Sequence, residues 1–337
     1  MGERILIWGA GAIGGTIGAY LGAAGHDITF VDTDAAHVAA IRAAGLQISG
    51  PIAKMTQPAP AFLPGELSGT WDQIFLCVKS QFTEAASRAL LPHLAEDGYV
   101  LSLQNGLCEG VIAGVVGAPR VVGAFINFGA DWIEPGQVLF ANHGAVVLGE
   151  MDGRITDRLR NLHELMLQFA PHAIMTEDIA GYLWGKLGYA CFLFAQALGD
   201  LGIADCLERP ELLPLWKALG AEVNAVAAAI GVTPRGFNGY DPAAFVPGAA
   251  PDAAAKSVAA MVAFNRPNAK THSGIWRDIA VRKRRTEVDA QILPIAEVGA
   301  AHGVDCPTVR RLVGMIHAIE QGKLAQADVN LLTLMRG

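Results

Sequence analysis

The sequence predicts an α/β protein in which a doubly wound parallel sheet domain is followed by an all-helical domain. In the first half of the chain, short apolar runs alternate with helical patterns, which indicates parallel strands with helices on both faces of a sheet. After Thr176 the strand signal fades, and apolar residues recur at helical spacing. We therefore predict a sheet domain over residues 1–177 and a helical domain over residues 178–337.

The elements follow from this alternation in chain order. In the first domain we predict strands over 4–8, 27–31, 73–78, 98–103 and 120–127, with helices near 13–24, 34–44, 81–94 and 107–115. Two short strands over 136–149, a helix over 154–170 and a strand over 172–176 close that domain. In the second domain we predict helices over 179–199, 211–231, 252–264, 275–302 and 306–321.

The composition is apolar and sparsely charged, with 39 Gly among 337 residues, 52% hydrophobic residues and 17% charged residues. Such hydrophobicity excludes intrinsic disorder, and a net charge of −7 argues against nucleic-acid binding. The uncharged stretch Ile5–Gly25 is long enough to cross a bilayer, but seven of its 21 residues are Gly, which disfavours a membrane helix. We expect a cytoplasmic protein that does not bind a membrane.

The cysteine and histidine patterns give no sign of a metal site. The five Cys form no CxxC pair, and their odd number argues against a complete disulfide framework. The nine His include no HxxxH pair. We expect core or surface thiols and no metal.

A glycine motif, Gly9-x-Gly11-x-x-Gly14, follows the first predicted strand directly. In a dinucleotide-binding turn the first Gly permits the tight turn, the second lets the backbone approach the pyrophosphate, and the third packs the helix against the strand. The backbone N–H groups of Ala12 and Ile13, at the start of the helix, then face the phosphates. The strand, turn and helix context predicts a Rossmann nucleotide-binding domain.

Asp32 ends the second predicted strand, 18 residues after Gly14. A carboxylate at this place accepts hydrogen bonds from the adenosine ribose and repels a 2′-phosphate. Because no Arg or Lys follows until Arg42, the sequence favours NAD as the cofactor, with NADP as the alternative. Asp32 could instead only cap the helix that starts near Asp34.

Two loops after apolar strands carry polar residues at the edge where ligands bind in such sheets. Lys79 follows one strand, and Gln104-Asn105-Gly106 follows the next. A lysine there could hold an anionic group of a substrate or cofactor, or it could be a solvated loop residue.

These motifs together resemble the ketopantoate reductase family over nearly the whole chain. The matching landmarks, in order, are the glycine motif, Val78-Lys79-Ser80, Gln104-Asn105-Gly106, Leu183–Leu187, Thr286–Asp289 and His302–Pro307. The resemblance implies a Rossmann domain joined to a helical domain, with the active site in the cleft between them.

The resemblance also implies roles for individual residues. Lys186 matches the catalytic lysine that protonates the substrate oxygen when hydride reaches the 2-oxo carbon, although by itself it could be an ordinary surface lysine. Glu287 matches the active-site carboxylate, which binds substrate or orients that lysine. Lys79 and Asn105 match positions that border the nicotinamide and the reacting carbonyl, and so count both as cofactor-binding and as catalytic.

The substrate carboxylate is expected near Thr271-His272-Ser273. The register of the resemblance there is open by one residue: Ser273 is the first choice and Thr271 the second. His272 could be an acid–base group or a structural residue.

Two positions depart from the family pattern. Ala190 and Phe194 stand where the family places substrate-binding Asn residues, so two hydrogen-bonding groups are replaced by apolar ones. Together with Asp32, this favours a divergent member similar to the NAD-dependent D-2-hydroxyacid dehydrogenases, which interconverts a 2-oxo acid and a 2-hydroxy acid. The alternatives are a true NADPH-dependent 2-dehydropantoate 2-reductase and a non-catalytic nicotinamide-nucleotide sensor. We expect a homodimer.

The basic run Arg282–Arg285 is predicted to lie on a helix. Three oppositely charged pairs at a spacing of four residues, Asp278–Arg282, Lys283–Glu287 and Arg285–Asp289, would then neutralise it locally.

Overall fold

The computed structural model describes residues 2–268 and 271–336. The chain divides into two compact units, of which the first ends at Ile179 and the second begins at Ala180.

Within the described residues, the first unit contains twelve strands and five α-helices. The strands are β1 (Arg4–Trp8), β2 (Asp27–Val31), β3 (Leu46–Ser49), β4 (Met55–Gln57), β5 (Ala61–Phe62), β6 (Trp71–Leu76), β7 (Leu94–Ser102), β8 (Val121–Ile126), β9 (Gly129–Glu134), β10 (Gln137–Asn142), β11 (Val146–Glu150) and β12 (Ile174–Met175). The helices are α1 (Ala12–Ala23), α2 (Ala35–Ala44), α3 (Thr83–Leu90), α4 (Glu109–Val116) and α5 (Asp157–Leu167).

The main sheet has the order β12-β11-β8-β7-β6-β1-β2-β5. The six strands from β5 to β8 run parallel, as predicted. The sheet is not parallel at one end, where β11 pairs antiparallel with β8 and Val147 lies opposite Phe125. The chain returns there through a neighbouring hairpin rather than through a crossover helix, which reverses its direction.

Side chains alternate between the two faces of the main sheet. On β1, Ile5 and Ile7 enter one buried cluster with α1, α2 and α5, whereas Leu6 and Trp8 enter another with α3 and α4. This burial on both faces is typical of a doubly wound sheet, and it accounts for much of the apolar composition.

A second, smaller sheet has the order β4-β3-β10-β9. Helix α1 lies close to both sheets: a Cβ added at Gly18 would lie 2.5 Å from Phe30 on β2, and one at Gly15 would lie 3.0 Å from Leu46 on β3. Glycines within the uncharged stretch Ile5–Gly25 therefore permit close helix–sheet packing. Within the described ranges 2–268 and 271–336, no helix combines the length and apolarity that crossing a membrane requires.

The second unit is helical, as predicted. Its helices are α6 (Ile179–Gln196, which begins one residue before the unit), α7 (Ile203–Leu207), α8 (Leu213–Ala229), α9 (Ala253–Asn265), α10 (Gly274–Ala280), α11 (Val288–Gln291), α12 (Leu293–Ala301), α13 (Pro307–Glu320) and α14 (Val329–Arg336).

The single helix predicted over 275–302 was wrong, since α10, α11 and α12 occupy this stretch. The break lies at Lys283, whose φ of 48° is left-handed and ends regular helix geometry. Distant partners hold the broken segment in place: Glu320 of α13 accepts hydrogen bonds from the backbone N–H and the hydroxyl of Thr286.

The basic run consequently pairs differently from the helical prediction. Asp278 is buried and accepts hydrogen bonds from both Arg282 and Arg284. The predicted Arg285–Asp289 pair was wrong, because the Asp289 carboxylate contacts His317 at 2.7 Å instead. The run lies outside a helix, so side chains four residues apart are not neighbours beyond Arg282.

All five cysteines are free thiols. Burial raises the pKa of Cys206 to about 12 and also raises the pKa of Cys191, so both stay protonated near neutral pH. They are core residues rather than nucleophiles.

Candidate active site

The glycine motif lies at the point where strand order reverses, because β1 is flanked by β2 on one side and by β6 on the other. Gly9 has a φ of 101°, and its N–H donates to the Val31 carbonyl at 2.8 Å. A small cavity lies at the carboxyl ends of these three strands, and its lining includes Gly9, Asp32 and Val78.

The second and third glycines have the environments that a dinucleotide turn requires. Gly11 is the N-cap of α1, with no side chain capping the helix, and a Cβ added there would meet no atom within 4 Å. The first N–H groups of α1 include those of Ala12 and Ile13, and no N-cap side chain occupies the start of this helix. A Cβ at Gly14 would instead lie 2.1 Å from the Gly9 carbonyl oxygen. The residues fit a bound pyrophosphate at Gly11 and tight packing at Gly14.

This contrast gives a direct test of the motif. We expect Gly11→Ala to weaken NADH binding by at least about 10-fold while the free energy of unfolding changes by less than about 1 kcal/mol, because the added methyl occupies only the open space. Gly14→Ala should cost at least about 1–3 kcal/mol of stability through overpacking. Isothermal titration with NADH and chemical denaturation measure the two effects.

Gly114→Ala is the matched control, because Gly114 lies in α4 and an added Cβ there also meets nothing within 4 Å. It should leave NADH affinity unchanged. Equal NADH affinity in Gly11→Ala and wild type would contradict the assignment of the turn to the pyrophosphate.

Asp32 is half-buried at the end of β2, and both of its oxygens are oriented by the backbone. One oxygen accepts from the N–H of Ala10 at 2.9 Å, and the other from the N–H of Asp34 at 3.0 Å. The alternative that Asp32 caps α2 is wrong, since the N-cap is Asp34, whose carboxylate accepts from Ala36 and His37. Asp32 instead joins the glycine turn to the end of β2.

Arg42, the first basic residue after Asp32, is engaged elsewhere. It forms an ion pair with Glu66, and its Nε donates to the Ala61 carbonyl. The Leu63 N–H and the Arg42 guanidinium together lower the pKa of Glu66. The Arg42 guanidinium, which could have bound a 2′-phosphate, is therefore paired with the Glu66 carboxylate.

The loops after β6 and β7 are joined by Gln104, a residue to which no sequence motif assigns a role. Its buried amide donates from Nε2 to the Val78 carbonyl and to the Thr83 hydroxyl, both at 2.9 Å. The Thr83 hydroxyl in turn donates to the Ser80 carbonyl at 2.7 Å. Lys79, which is half-buried, lies between these two anchored carbonyls. Gln104 thereby fixes the backbone that presents Lys79.

Asn105 follows Gln104 and is exposed at the same edge of the sheet. Leu76 pairs in register with Ser102, so Lys79 and Asn105 each follow their strand by three residues. The first unit thus brings Gly9, Gly11, Ala12, Ile13, Gly14, Asp32, Lys79 and Asn105 to the carboxyl edge of one sheet.

In the second unit, Lys186 lies on α6, most of whose residues are buried. Apart from Ala180 at its start, the half-buried positions of this helix are Tyr182, Lys186, Ala190 and Leu193. Their spacing of four, four and three residues places them on one face. Phe194 is fully buried, whereas Leu193 shares the face of Lys186. The periodicity of 3.6 could have indicated Leu193, whereas the family pattern selected Phe194.

Two glycines beside Lys186 let a neighbouring segment contact α6 closely. A Cβ at Gly185 would lie 1.9 Å from the Arg235 carbonyl oxygen, and one at Gly188 would lie 2.1 Å from the Tyr240 hydroxyl. The N–H of Arg235 donates to the Gly181 carbonyl at 2.8 Å. The glycine in the Trp-Gly-Lys motif is therefore a packing residue that fixes the helix carrying Lys186.

The Thr271–Ser273 stretch leads into α10. Ser273 is buried and caps that helix by accepting from the Trp276 N–H at 3.1 Å, which leaves its hydroxyl proton available for donation. Both nitrogens of His272 are engaged, Nδ1 with the Thr271 hydroxyl and Nε2 with the Asp200 carbonyl. The ring also packs on Trp276 at 4.1 Å. These contacts favour a structural role for His272.

Glu287 is half-buried and stands at the N-cap position of the short helix α11. Its backbone is fixed by the preceding Thr286, which donates to Glu320. Over residues 2–268 and 271–336, no cluster of three or more His, Cys, Asp or Glu side chains is arranged to hold a metal.

Comparison with known families matches both units. The model of the family described as Ketopantoate reductase PanE/ApbA matches residues 5–153, and the model of its C-terminal domain matches residues 178–320. A 2-dehydropantoate 2-reductase from Archaeoglobus fulgidus is 28% identical over 327 residues, covering 95% of this chain and 99% of the relative.

Solved structures share the fold across nearly the whole chain. A ketopantoate reductase from Ralstonia eutropha JMP134 has a TM-score of 0.80 at 25% identity, covering 95% of this chain and 99% of the other. D-mandelate dehydrogenase with NADH and anilino(oxo)acetate has a TM-score of 0.84 at 22% identity, with the same coverage. From the two family matches, the full-length relative and the shared fold, we conclude that the chain belongs to the ketopantoate reductase family.

Proposed function

We propose that this protein uses NADH to reduce a 2-oxo acid with a bulky apolar substituent to the corresponding 2-hydroxy acid, or runs the reverse reaction. Membership of the ketopantoate reductase family makes the chain an NAD(P)-dependent oxidoreductase of 2-oxo acids. The observation that carries the finer proposal is the face of α6, where Ala190 and Leu193 follow Lys186.

In this proposal Lys186 is the general acid. When bound, the reduced nicotinamide supplies a hydride to C2 of the substrate. The Lys186 ammonium polarises the C2 carbonyl and donates a proton to its oxygen as that oxygen becomes an alkoxide. In the reverse direction the neutral amine accepts the hydroxyl proton.

The other residues bind and orient the reactants. We assign Lys79 and Asn105 to the nicotinamide end of the cofactor, because the Gln104 network fixes their loops at the carboxyl edge of the sheet. The Ser273 hydroxyl donates to the substrate carboxylate, and Glu287 binds substrate or orients Lys186. Thr271 is the second choice for the carboxylate, since its hydroxyl already contacts His272.

The choice of NAD over NADP rests on charge. The Asp32 carboxylate is held at the end of β2 by two backbone N–H groups and would repel a 2′-phosphate. The Arg42 guanidinium is paired with Glu66. The shared fold of D-mandelate dehydrogenase with NADH is consistent with this choice.

The substrate class rests on the loss of polar groups. A polyhydroxy substrate would leave its hydroxyls without partners beside Ala190 and Leu193, at a cost of about 1–3 kcal/mol for each unpaired group. An aromatic or branched substituent would instead bury apolar surface there. Phe194 is fully buried and does not belong to the half-buried face of α6.

A second candidate is a true 2-dehydropantoate 2-reductase, which the name of the Archaeoglobus fulgidus relative favours. In that case another polar group compensates for Ala190, and the cofactor is NADPH. A nicotinamide-nucleotide sensor would bind the cofactor without turnover.

The deciding experiment measures kcat/KM for phenylglyoxylate, branched 2-oxo acids and ketopantoate, each with NADH and NADPH, from the loss of reduced-cofactor absorbance. We expect phenylglyoxylate with NADH to exceed ketopantoate with NADPH by at least about 10-fold, as one unpaired group predicts. A preference for ketopantoate with NADPH would overturn the proposal, and cofactor binding without turnover would indicate the sensor. Ala190→Asn should shift the ratio toward ketopantoate, with the matched change Ala260→Asn, on the exposed side of α9, as control.

A further inference from the structure

A buried histidine lies beneath the glycine turn of the first unit. His37 belongs to the first turn of α2, and its side chain is 1% exposed. Its Nε2 lies 2.9 Å from the carbonyl oxygen of Ala10, the residue between Gly9 and Gly11. A buried polar ring in this place requires a partner at each nitrogen.

The contacts of the other ring nitrogen, Nδ1, determine which nitrogen of the imidazole carries the proton. Nδ1 accepts the Gly136 N–H at 2.9 Å and the Trp132 Nε1–H at 3.3 Å. Because both of these groups are donors, Nδ1 carries no proton, and Nε2–H is the donor to the Ala10 carbonyl. The imidazole therefore acts in one neutral tautomer.

The contacts join the glycine turn to the second sheet. Gly136 is the turn between β9 and β10, and its carbonyl accepts the N–H of Gln47 on β3 at 2.8 Å. Gly136 also has a φ of 78° and lies against Ala40 of α2. The acceptor side of His37 is thus anchored to a fixed point of the smaller sheet.

Ala10 is consequently held at both of its polar groups. Its N–H donates to the Asp32 carboxylate at 2.9 Å, and its carbonyl accepts from His37. The next residue, Gly11, is the N-cap of α1: no side chain caps the first N–H groups of this helix, and a Cβ added at Gly11 would meet no atom within 4 Å. Rotation of the Ala10–Gly11 peptide would move these donors away from a bound pyrophosphate.

We propose that His37 is a positioning residue for the dinucleotide, which locks the Ala10 carbonyl so that the glycine turn stays shaped for the pyrophosphate. This proposal rests on the proposed function, since it assumes that the turn binds a nicotinamide dinucleotide. His37 does not touch the reacting atoms, and it acts only through the turn.

Two substitutions separate hydrogen bonding from packing. His37→Phe keeps a ring of similar size and removes both nitrogens, whereas His37→Gln keeps one donor and one acceptor. We expect His37→Phe to raise the Kd for NADH by about 10-fold, because a buried carbonyl loses its donor. The KM for the 2-oxo acid and kcat at saturating NADH should change by less than about 3-fold, and His37→Gln should restore most of the NADH affinity.

His163→Phe is the matched control. His163 also places its Nε2 against a backbone carbonyl, that of Ala173 at 2.8 Å, but on α5 and away from the glycine turn. It should leave the Kd for NADH unchanged. An NADH affinity in His37→Phe equal to that of wild type would overturn the proposal. It would also be overturned if His37→Phe raised the KM for NADH and the KM for the 2-oxo acid and lowered kcat to similar extents, and His37→Gln restored none of them.

A second measurement works without cofactor and covers the case in which His37→Phe does not fold. Hydrogen–deuterium exchange of the peptide spanning residues 9–15 reports the turn itself, and His37→Asn, whose side chain is too short to reach Ala10, should accelerate it while His37→Gln does not. Unchanged exchange in His37→Asn would overturn the proposal. A wild type that binds neither NADH nor NADPH would instead overturn the proposed function, whatever the exchange result.

Discussion

Replacing Lys186 by alanine is expected to lower kcat for 2-oxo acid reduction by about 10²–10⁴-fold, the usual contribution of a positioned general acid. The Kd for NADH should stay within about 2-fold of wild type, because Lys186 lies on α6 of the second unit, whereas the residues assigned to the dinucleotide belong to the first. Stopped-flow or steady-state kinetics and a separate NADH titration measure the two quantities.

Lys217→Ala provides the matched control, since Lys217 is an exposed lysine of the neighbouring helix α8 and should tolerate the change. Lys186 is only half-buried, and Gly185 and Gly188 pack closely against a neighbouring segment, so truncating the lysine should not unfold the helix. A kcat for Lys186→Ala within about 3-fold of wild type would remove Lys186 from the mechanism.

Asp32→Asn is expected to lower the ratio of kcat/KM with NADH to kcat/KM with NADPH by at least about 10-fold. A charged acceptor is worth about 1.5–3 kcal/mol, and removing the charge both weakens the ribose hydrogen bonds of NADH and relieves repulsion of the 2′-phosphate of NADPH. Asn keeps the shape of the side chain and one accepting oxygen for the Ala10 or Asp34 N–H. Kinetics with both cofactors at one fixed 2-oxo acid concentration measure the ratio.

Asp34→Asn tests whether charge alone produces such an effect. Asp34 is exposed two residues further along and caps α2, a role that Asn fills equally well. Its replacement should leave the cofactor ratio unchanged. The same shift in both variants would show a general field effect and contradict a direct contact between Asp32 and the ribose.

The strands that the sequence predicted are the ones whose signal is local. β1, β2, β6, β7 and β8 are apolar runs bounded by turns, and they form five of the six parallel strands from β5 to β8 in the main sheet. The sequence missed β3, β4, β5 and β9, because the first three have only two to four residues and β9 is a partly exposed strand. Likewise, the direction of β11 depends on its pairing with β8, and periodicity does not carry that information.

The difference between local signals and tertiary contacts also explains why a single helix was predicted over residues 275–302. The apolar spacing over 275–302 is helical on average, but the left-handed Lys283 and the Thr286–Glu320 hydrogen bonds divide it. Glu320 is distant in sequence, so its effect could not be read from the segment itself. The helices α7 and α14 were also missed, and α7 has only five residues, which give little periodicity.

At the site, the local sequence motifs could be predicted, whereas the residues that hold them in place through tertiary contacts could not. The glycine turn and Asp32 follow from spacing within one βα unit, and the structure gives each glycine an environment that suits its assigned task. Gln104 and His37 gain their roles only through hydrogen bonds to distant backbone groups. The boundary at residue 177, the homodimer and the substrate contacts of Ser273 and Glu287 stay predictions.

Hydride transfer between the nicotinamide and C2 of an apolar 2-oxo acid can be tested by isotope transfer. The protein is incubated with phenylglyoxylate and NADH that carries deuterium at both C4 positions, and the product is analysed by mass spectrometry. We expect a 2-hydroxy acid with one deuterium at C2, formed in amounts equal to the oxidised cofactor. Oxidation of the cofactor without deuterated 2-hydroxy acid, or no reduction of any 2-oxo acid with either cofactor, would contradict the proposed function.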